Sequence, residues 1–192
     1  MAVKGLDYFV KYFAGMDDCF ILIGGAACDL WMGEQGLEFR ATKDLDLVVV
    51  TETLRKEFFV RFWEFIREGN YESMEQSEHR PEFYRFRQPK HPEHPFMIEL
   101  LSRNLLDLPK TVHLTPIPSE KDVSSLSAIL LDDRYYKFVK SSRIFINGTP
   151  TIPAHCLIPL KARAYLDLQA RKARGDEHVK NSDIKKHRYD VF

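Results

Sequence analysis

The chain has no run of about 18 consecutive apolar residues, so no segment of it reads as a membrane span. Its first residues, MAVKGLDYFVKYF, hold Asp and Lys within the apolar stretch and lack the core of a secretory signal. Cysteine is scarce. Cys19, Cys28 and Cys156 show neither a CxxC pair nor ligand-like spacing, and reduced thiols are expected. Neither sign of charge dominates, with 28 Lys and Arg against 28 Asp and Glu and a pI near 7.1. Global charge therefore gives no argument for bulk binding to nucleic acid or a membrane, although a local basic patch is still allowed. Internal repeats and low-complexity segments are also missing. These absences indicate a cytoplasmic setting without membrane contact. What is present, 44% hydrophobic and 29% charged residues over 192 positions, suits an ordinary globular protein of one large domain or two small ones.

The chain is organised around residues 20–50. Phe20–Ile23 is an apolar strand that breaks at Gly24-Gly25, and Ala26–Glu34 reads as a helix closed by Gly33 and Gly36. Asp44–Val50 is a second strand, buried on both faces except at its acidic end. Asp44 and Asp46 share one face, roughly 6.5–7 Å apart along the strand. Two such carboxylates repel each other, and a divalent cation is the usual reason to tolerate them. Gly24-Gly25, where strand gives way to helix, offers bare backbone N–H groups to a phosphate. A phosphate seat and a metal seat in one βαβ-like unit point to chemistry on a nucleoside triphosphate.

Around this unit the pattern continues. Leu6, Phe9, Val10 and Phe13 recur at helical spacing over residues 5–15. Thr51 is placed to cap a helix running to about Arg67, whose Phe58, Phe59, Phe62, Trp63 and Phe65 read as core rather than as a base-stacking surface. Tyr71–Met74 and Phe83–Phe86 are expected strands of a hairpin or meander. The three prolines of QPKHPEHP (88–95) make a solvated loop in which His91 and His94 are not drawn together as metal ligands. Phe96–Leu101 is an apolar strand with a single acid, Glu99, which needs a partner. Residues 107–122 are Pro-rich and polar, a connection. Ser124–Leu131 reads as a short helix and Arg143–Ile146 as a strand. Ala154–Arg174 is a long helix in which Pro159 is tolerated only near the first turn, and Ser182–Val191 is a second helix. The expected class is α+β, a mixed β-sheet flanked by helices with a C-terminal helical portion. Residues 1–108 form the core and 109–192 pack on it, or the two make one continuous domain.

The chemistry rests on acids. If their strands are neighbours, Asp44, Asp46 and Glu99 converge on a site for one or two Mg²⁺ (or Mn²⁺) ions, which take oxygen ligands and substrate phosphates. Such ions activate an attacking hydroxyl and stabilise a departing pyrophosphate. The alternative for Glu99 is a salt bridge to Arg85, Arg87 or Arg103. On the long helix, Leu157, Leu160, Ala164 and Leu168 trace an apolar stripe that contains Lys161. That lysine either snorkels or meets a buried anion, and the expected acids and triphosphate favour the anion. Residues 171–180 (RKARGDEHVK) read as a solvated helix end and loop.

The segment Gly24-Gly25 … Arg40-Ala41-Thr42-Lys43-Asp44-Leu45-Asp46 resembles the first motif of the nucleotidyltransferase superfamily, and its R-x-T-x-D-x-D form is similar to the AbiEii/AbiGii toxin-like family. That resemblance implies a nucleotidyltransferase-like mixed sheet with a helical C-terminal portion. It also implies an enzyme moving an NMP from an NTP such as ATP to a hydroxyl or phosphate, with tRNA or another nucleic acid as acceptor and an antitoxin protein as partner. By position, Gly24 and Gly25 would hold triphosphate oxygens, and Asp44 with Asp46 would bind Mg²⁺. Arg40 would meet phosphate or the acidic cluster, or else steady the loop by a salt bridge. Thr42 would join the nucleotide site or only cap the start of the strand. The family also carries a lysine on a helix, here Lys161, followed by a basic segment ending in Asp, here residues 185–190. Within that segment Lys186 and Asp190 are nucleotide-site candidates, or pair with each other four residues apart. His187 stands where the family often has an acid. The chain departs from the wider superfamily in the 18 residues between Gly25 and Asp44, and in Gly25 replacing a serine. The rival reading is a non-catalytic nucleotide- or partner-binding module on the same fold.

Overall fold

Short apolar segments punctuated by Gly, Pro and Asn build this chain. The computed structural model describes residues 3–40, 42–77, 80–103, 114–117, 126–177 and 179–190. The first half comprises α1 (Leu6–Tyr12), β1 (Phe20–Ile23), α2 (Gly24–Glu34), β2 (Asp44–Val49) and α3 (Lys56–Gly69). Then come β3 (Tyr71–Ser77), β4 (Arg80–Pro89), β5 (Met97–Arg103), β6 (Leu114–Ile117) and β7 (Leu126–Leu131). The chain finishes with α4 (Asp133–Ser141), β8 (Ile144–Ile146), β9 (Thr149–Thr151), α5 (Ala154–Ala173) and α6 (Asn181–Tyr189).

Among the described residues, seven strands form one mixed sheet in the order β1-β2-β5-β4-β7-β6, with β3 paired to β4. β2 and β5 run parallel at its centre, and β1 lies antiparallel to β2. The expected βαβ-like unit is thus a strand–helix–strand whose two strands oppose each other. β7 pairs with the last residues of β5 at Leu101, Ser102 and Arg103, beyond the stretch that β4 covers. β8 and β9 form a separate hairpin turned at Asn147 and Gly148, both at positive φ.

Burial explains which segments became central. Leu45, Leu47, Val48, Ile98 and Leu100 have no exposed surface, as strands covered on both faces require. On one side α1 and α3 bring aromatic rings onto the sheet. Phe9 stacks on Phe13 at 4.4 Å, and Phe13 meets Phe58, Phe62 and Phe65 at 5.6–6.2 Å. Phe58, Phe59, Phe62 and Phe65 are all buried, which matches the core reading of this helix. α3 ends where Asn70 takes φ 46, a left-handed stop that asparagine tolerates.

Several expectations change. Thr51 does not cap α3, which starts at Lys56 after Arg55. Thr51 instead sits in a turn and donates its backbone N–H to the Tyr136 hydroxyl at 3.1 Å. Residues 126–131 form strand β7 rather than a short helix, because backbone pairing with β5 and β6 overrides weak local preference. The stretch expected as connection contains β6, and its remaining residues lie outside those described, as do Ala41 and Val191. His94 is not solvated: it is 2% exposed, its ring 4.3 Å from Phe65 and 5.1 Å from Tyr8. α4 was not legible as a helix, although Asp132 caps it by accepting from the Arg134 N–H at 2.9 Å. Pro159 sits in the second turn of α5, where the His155 carbonyl left without its donor lies on an exposed face. The three cysteines are buried free thiols.

Phe65 touches rings from α1 and the loop before β5, so its loss opens a cavity between three segments. Phe65→Ala is expected to cost about 3–5 kcal/mol and Phe65→Leu clearly less, read from urea unfolding followed by circular dichroism. A loss under about 1 kcal/mol for the alanine variant would show that this cluster does not hold the helices to the sheet.

A candidate active site at the acidic end of the central strands

The parallel register of β2 and β5 sets Asp46 directly beside Glu99, and Asp44 beside Met97. Asp44, Asp46 and Glu99 therefore share one face of two adjacent strands. Asp46 is also the register partner of Ile23, the last residue of β1. The chain turns there at Gly24, with φ +73, and a Cβ on Gly24 would stand 1.8 Å from Asp46 Oδ2. A Cβ on Gly25 would stand 2.7 Å from Thr42 Oγ1. The glycine pair thus lets Asp46 and Thr42 approach the start of α2, a role not anticipated from the sequence. No side chain caps that helix start. Its first N–H groups and the positive end of its dipole face the same region as the acids.

A cleft of about 380 Å³ opens on this face. Gly24, Gly25, Thr42, Asp44, Asp46 and Glu99 form one wall. Leu157, Leu160, Lys161 and Ala164 of α5 form another, and Lys186 and His187 of α6 complete it. Eight of the ten residues singled out by sequence are brought together here; Arg40 and Asp190 are not among the lining residues. A larger hollow of about 590 Å³ lies beside α1 and α2, lined by Asp7, Lys11, Asp29 and Glu34 among others. It gathers none of the ten.

The charges in and behind the cleft are partly self-neutralised. Arg85 pairs with Glu99 through both Nε and a terminal nitrogen, so this acid takes its salt-bridge alternative. Asp190 has no exposed side-chain surface and accepts from Arg40 at 2.6 and 2.8 Å and from Lys161 Nζ at 2.7 Å. Lys161 has met its buried anion, and that anion is Asp190. Among the described residues Asp190 pairs with Arg40 and Lys161 and not with Lys186, a correction to the local i,i+4 expectation. Burial opposes the charge of Asp190, but the hydrogen bonds from Arg40 and Lys161 prevail and hold its carboxyl below the usual range. An enclosed Asp190 cannot touch a nucleotide in this arrangement; it fixes Arg40 and Lys161 instead.

Asp44 and Asp46 have no hydrogen-bond or ion-pair partner among the described residues. Loss of water around Asp46, with Glu99 and Asp44 nearby, pushes its carboxyl up to about 6 against the pull of Lys161 and Lys186. Desolvation with Lys161 and Lys186 pushes His187 down to about 4, and its Nδ1 is buried without a partner among the described residues. Sequence reasoning had not given His187 a place in the cleft wall. Spacing alone held the signal, since His187 follows Lys186 on the inward side of α6.

Among the described residues no group of three or more His, Cys, Asp or Glu side chains is arranged to hold a metal ion. Glu99, the third acid of this face, is engaged by Arg85. The two remaining acids still suit Mg²⁺, which commonly keeps several waters and binds through one or two carboxylates plus substrate phosphates. The raised carboxyl of Asp46 marks where a cation would relieve repulsion. No family model and no curated protein matches the chain.

A carboxyl raised by folding favours the protonated form, so its ionisation opposes the fold. That penalty grows from about pH 4 to about pH 6 and is constant above. Asp46→Asn is therefore expected to stabilise the metal-free protein by about 1–2 kcal/mol at pH 8, roughly 2–6 °C in Tm. The gain should vanish toward pH 4 in thermal melts. Equal destabilisation at both pH values would contradict the electrostatic account of this residue.

Proposed function

We propose that this chain is a Mg²⁺-dependent (or Mn²⁺-dependent) nucleotidyltransferase that moves an NMP from an NTP to an acceptor hydroxyl or phosphate. The reading is carried by one arrangement: two carboxylates without a partner among the described residues lie beside an uncapped helix start on one wall of a cleft, with Lys186 on the wall opposite. Asp44 and Asp46 would hold the ion, which supplies positive charge at the transferring phosphoryl group. The N–H groups at Gly24 and Gly25 would donate to triphosphate oxygens. Lys186 lies on the opposite wall as a counter-charge, while Leu157, Leu160 and Ala164 keep that wall dry. The acceptor oxygen bonds to the α-phosphorus as the bond to the bridging oxygen breaks and pyrophosphate leaves. The acceptor proton passes to a carboxylate of the same wall.

The family resemblance extends this reading to a cytoplasmic toxin-like enzyme acting on tRNA and held in check by an antitoxin protein. The ion pair between Arg85 and Glu99 favours a second reading, a non-catalytic nucleotide-binding module. There the third acid serves the sheet and not the reaction.

Titration calorimetry with each NTP, with and without Mg²⁺, separates the two. The enzyme reading expects metal-dependent NTP binding that Asp46→Asn weakens at least tenfold, and label from an α-³²P NTP appearing in an acceptor from total RNA. Binding indifferent to both the metal and the substitution would defeat it.

A further inference from the structure

Overall neutrality conceals a division of charge. Residues 154–190 carry nine Lys and Arg against five Asp and Glu, while the rest of the chain carries 19 against 23. The segment that spans α5 and α6 is thus net +4 beside a remainder of −4. α6 divides it further. Asp183, Lys186, His187 and Asp190 fall on one side of the helix, toward the cleft and the Asp190 ion pairs. Ser182, Lys185, Arg188 and Tyr189 fall on the other, and all four are exposed. Lys185, Arg188 and Tyr189 stand at i, i+3 and i+4, so their side chains are neighbours.

A merely solvated helix face usually mixes signs of charge, and this one contains no acid. Lys185 and Arg188 make no ion pair among the described residues. Tyr189, 71% exposed, is the most exposed large apolar side chain among the described residues. Two unpaired cations beside an exposed aromatic ring match the requirements of single-stranded nucleic acid, whose phosphates need countercharge and whose unstacked bases need a flat partner. A membrane surface would ask for an apolar stripe, and Tyr189 is the only apolar member of this face.

We propose that the outer face of α6, formed by Lys185, Arg188 and Tyr189, docks a single-stranded RNA end and delivers it to the adjacent cleft. Lys185 and Arg188 contact phosphates and Tyr189 stacks on a base. Lys186 and His187 of the same helix line the cleft, so the docked strand lies about one helix width from its wall. The identity of this RNA as an acceptor rests on the nucleotidyl-transfer reading; the docking surface itself does not.

The test is fluorescence anisotropy of a 5′-labelled, mixed-sequence single-stranded RNA of about 20 nucleotides with the full chain, from 50 to 200 mM KCl, where two lost phosphate contacts change the salt slope by about 1.4. Lys185→Gln with Arg188→Gln should weaken binding and flatten the dependence of log K on log salt by that amount. Tyr189→Ala should weaken it about tenfold, while Tyr189→Phe keeps it. Unchanged affinity in these variants, or binding of phosphatidylserine vesicles but not RNA, overturns the proposal. NTP binding without RNA binding refutes the docking surface alone. RNA binding through this face without NTP binding refutes nucleotidyl transfer and leaves the surface standing.

Discussion

The parallel pairing of β2 with β5 is the constraint on which the site depends. Leu45, Leu47, Ile98 and Leu100 occupy the core with no exposed surface, and their alternation with Asp44, Asp46 and Glu99 fixes which face the acids take. A slip of one residue would drive the carboxylates inward and the leucines out. The register is therefore enforced by hydrophobic burial of about 25 cal/mol per Å², not by the acids. The same pairing brings the end of β1 to Asp46 and so dictates a residue without a Cβ at position 24. Fold stability and site geometry are one decision in this sheet.

Charge neutralisation runs along two lines that the sheet does not set. Arg85 crosses from β4 to Glu99, its register partner, and shields the acid nearest Asp46. Asp190 ties the loop before β2 to α5 and α6 by gathering Arg40 and Lys161. An enclosed ion pair contributes little net stability when whole, but removing one partner strands a buried charge. Asp190 consequently acts as a positional lock on the helical lid of the cleft, more than as a source of net stability.

Much of this was legible in the sequence, for physical reasons. Phe20–Ile23, the break at Gly24-Gly25 and the acidic strand follow from period-two burial and from glycine's conformational freedom, which are local properties. The aromatic face of α3 followed from helical spacing. Residues 126–131 were not legible, since a short, largely apolar stretch such as LSAILL fits either a helix turn or a strand and only its neighbours decide. The Arg85 partner of Glu99 was one of three arginines the sequence offered, whereas the partners of Asp190 were hidden. Arg40 lies 150 residues from Asp190 in sequence, so the i,i+4 rule pointed to Lys186 and lost to a tertiary contact. His94 misled in the opposite direction, because prolines promised solvent and the rings of Phe65 and Tyr8 enclosed it.

The resting charge balance also constrains the order in which ligands can enter the cleft under the proposed reaction. Glu99 and Asp190 are satisfied internally, and Lys161 and Arg40 are already committed to Asp190. Among the described residues Asp44 and Asp46 are left without a partner, with Lys186 an uncommitted cation on the facing wall. A triphosphate arriving alone would meet two carboxylates at close range and one lysine, a net repulsive wall at low local dielectric. With a divalent cation on Asp44 and Asp46 the same wall becomes attractive, and repulsion within the acid pair falls at once. Metal dependence of nucleotide binding is on this account a consequence of which side chains the fold has left unpaired. It would hold whatever acceptor the cleft serves.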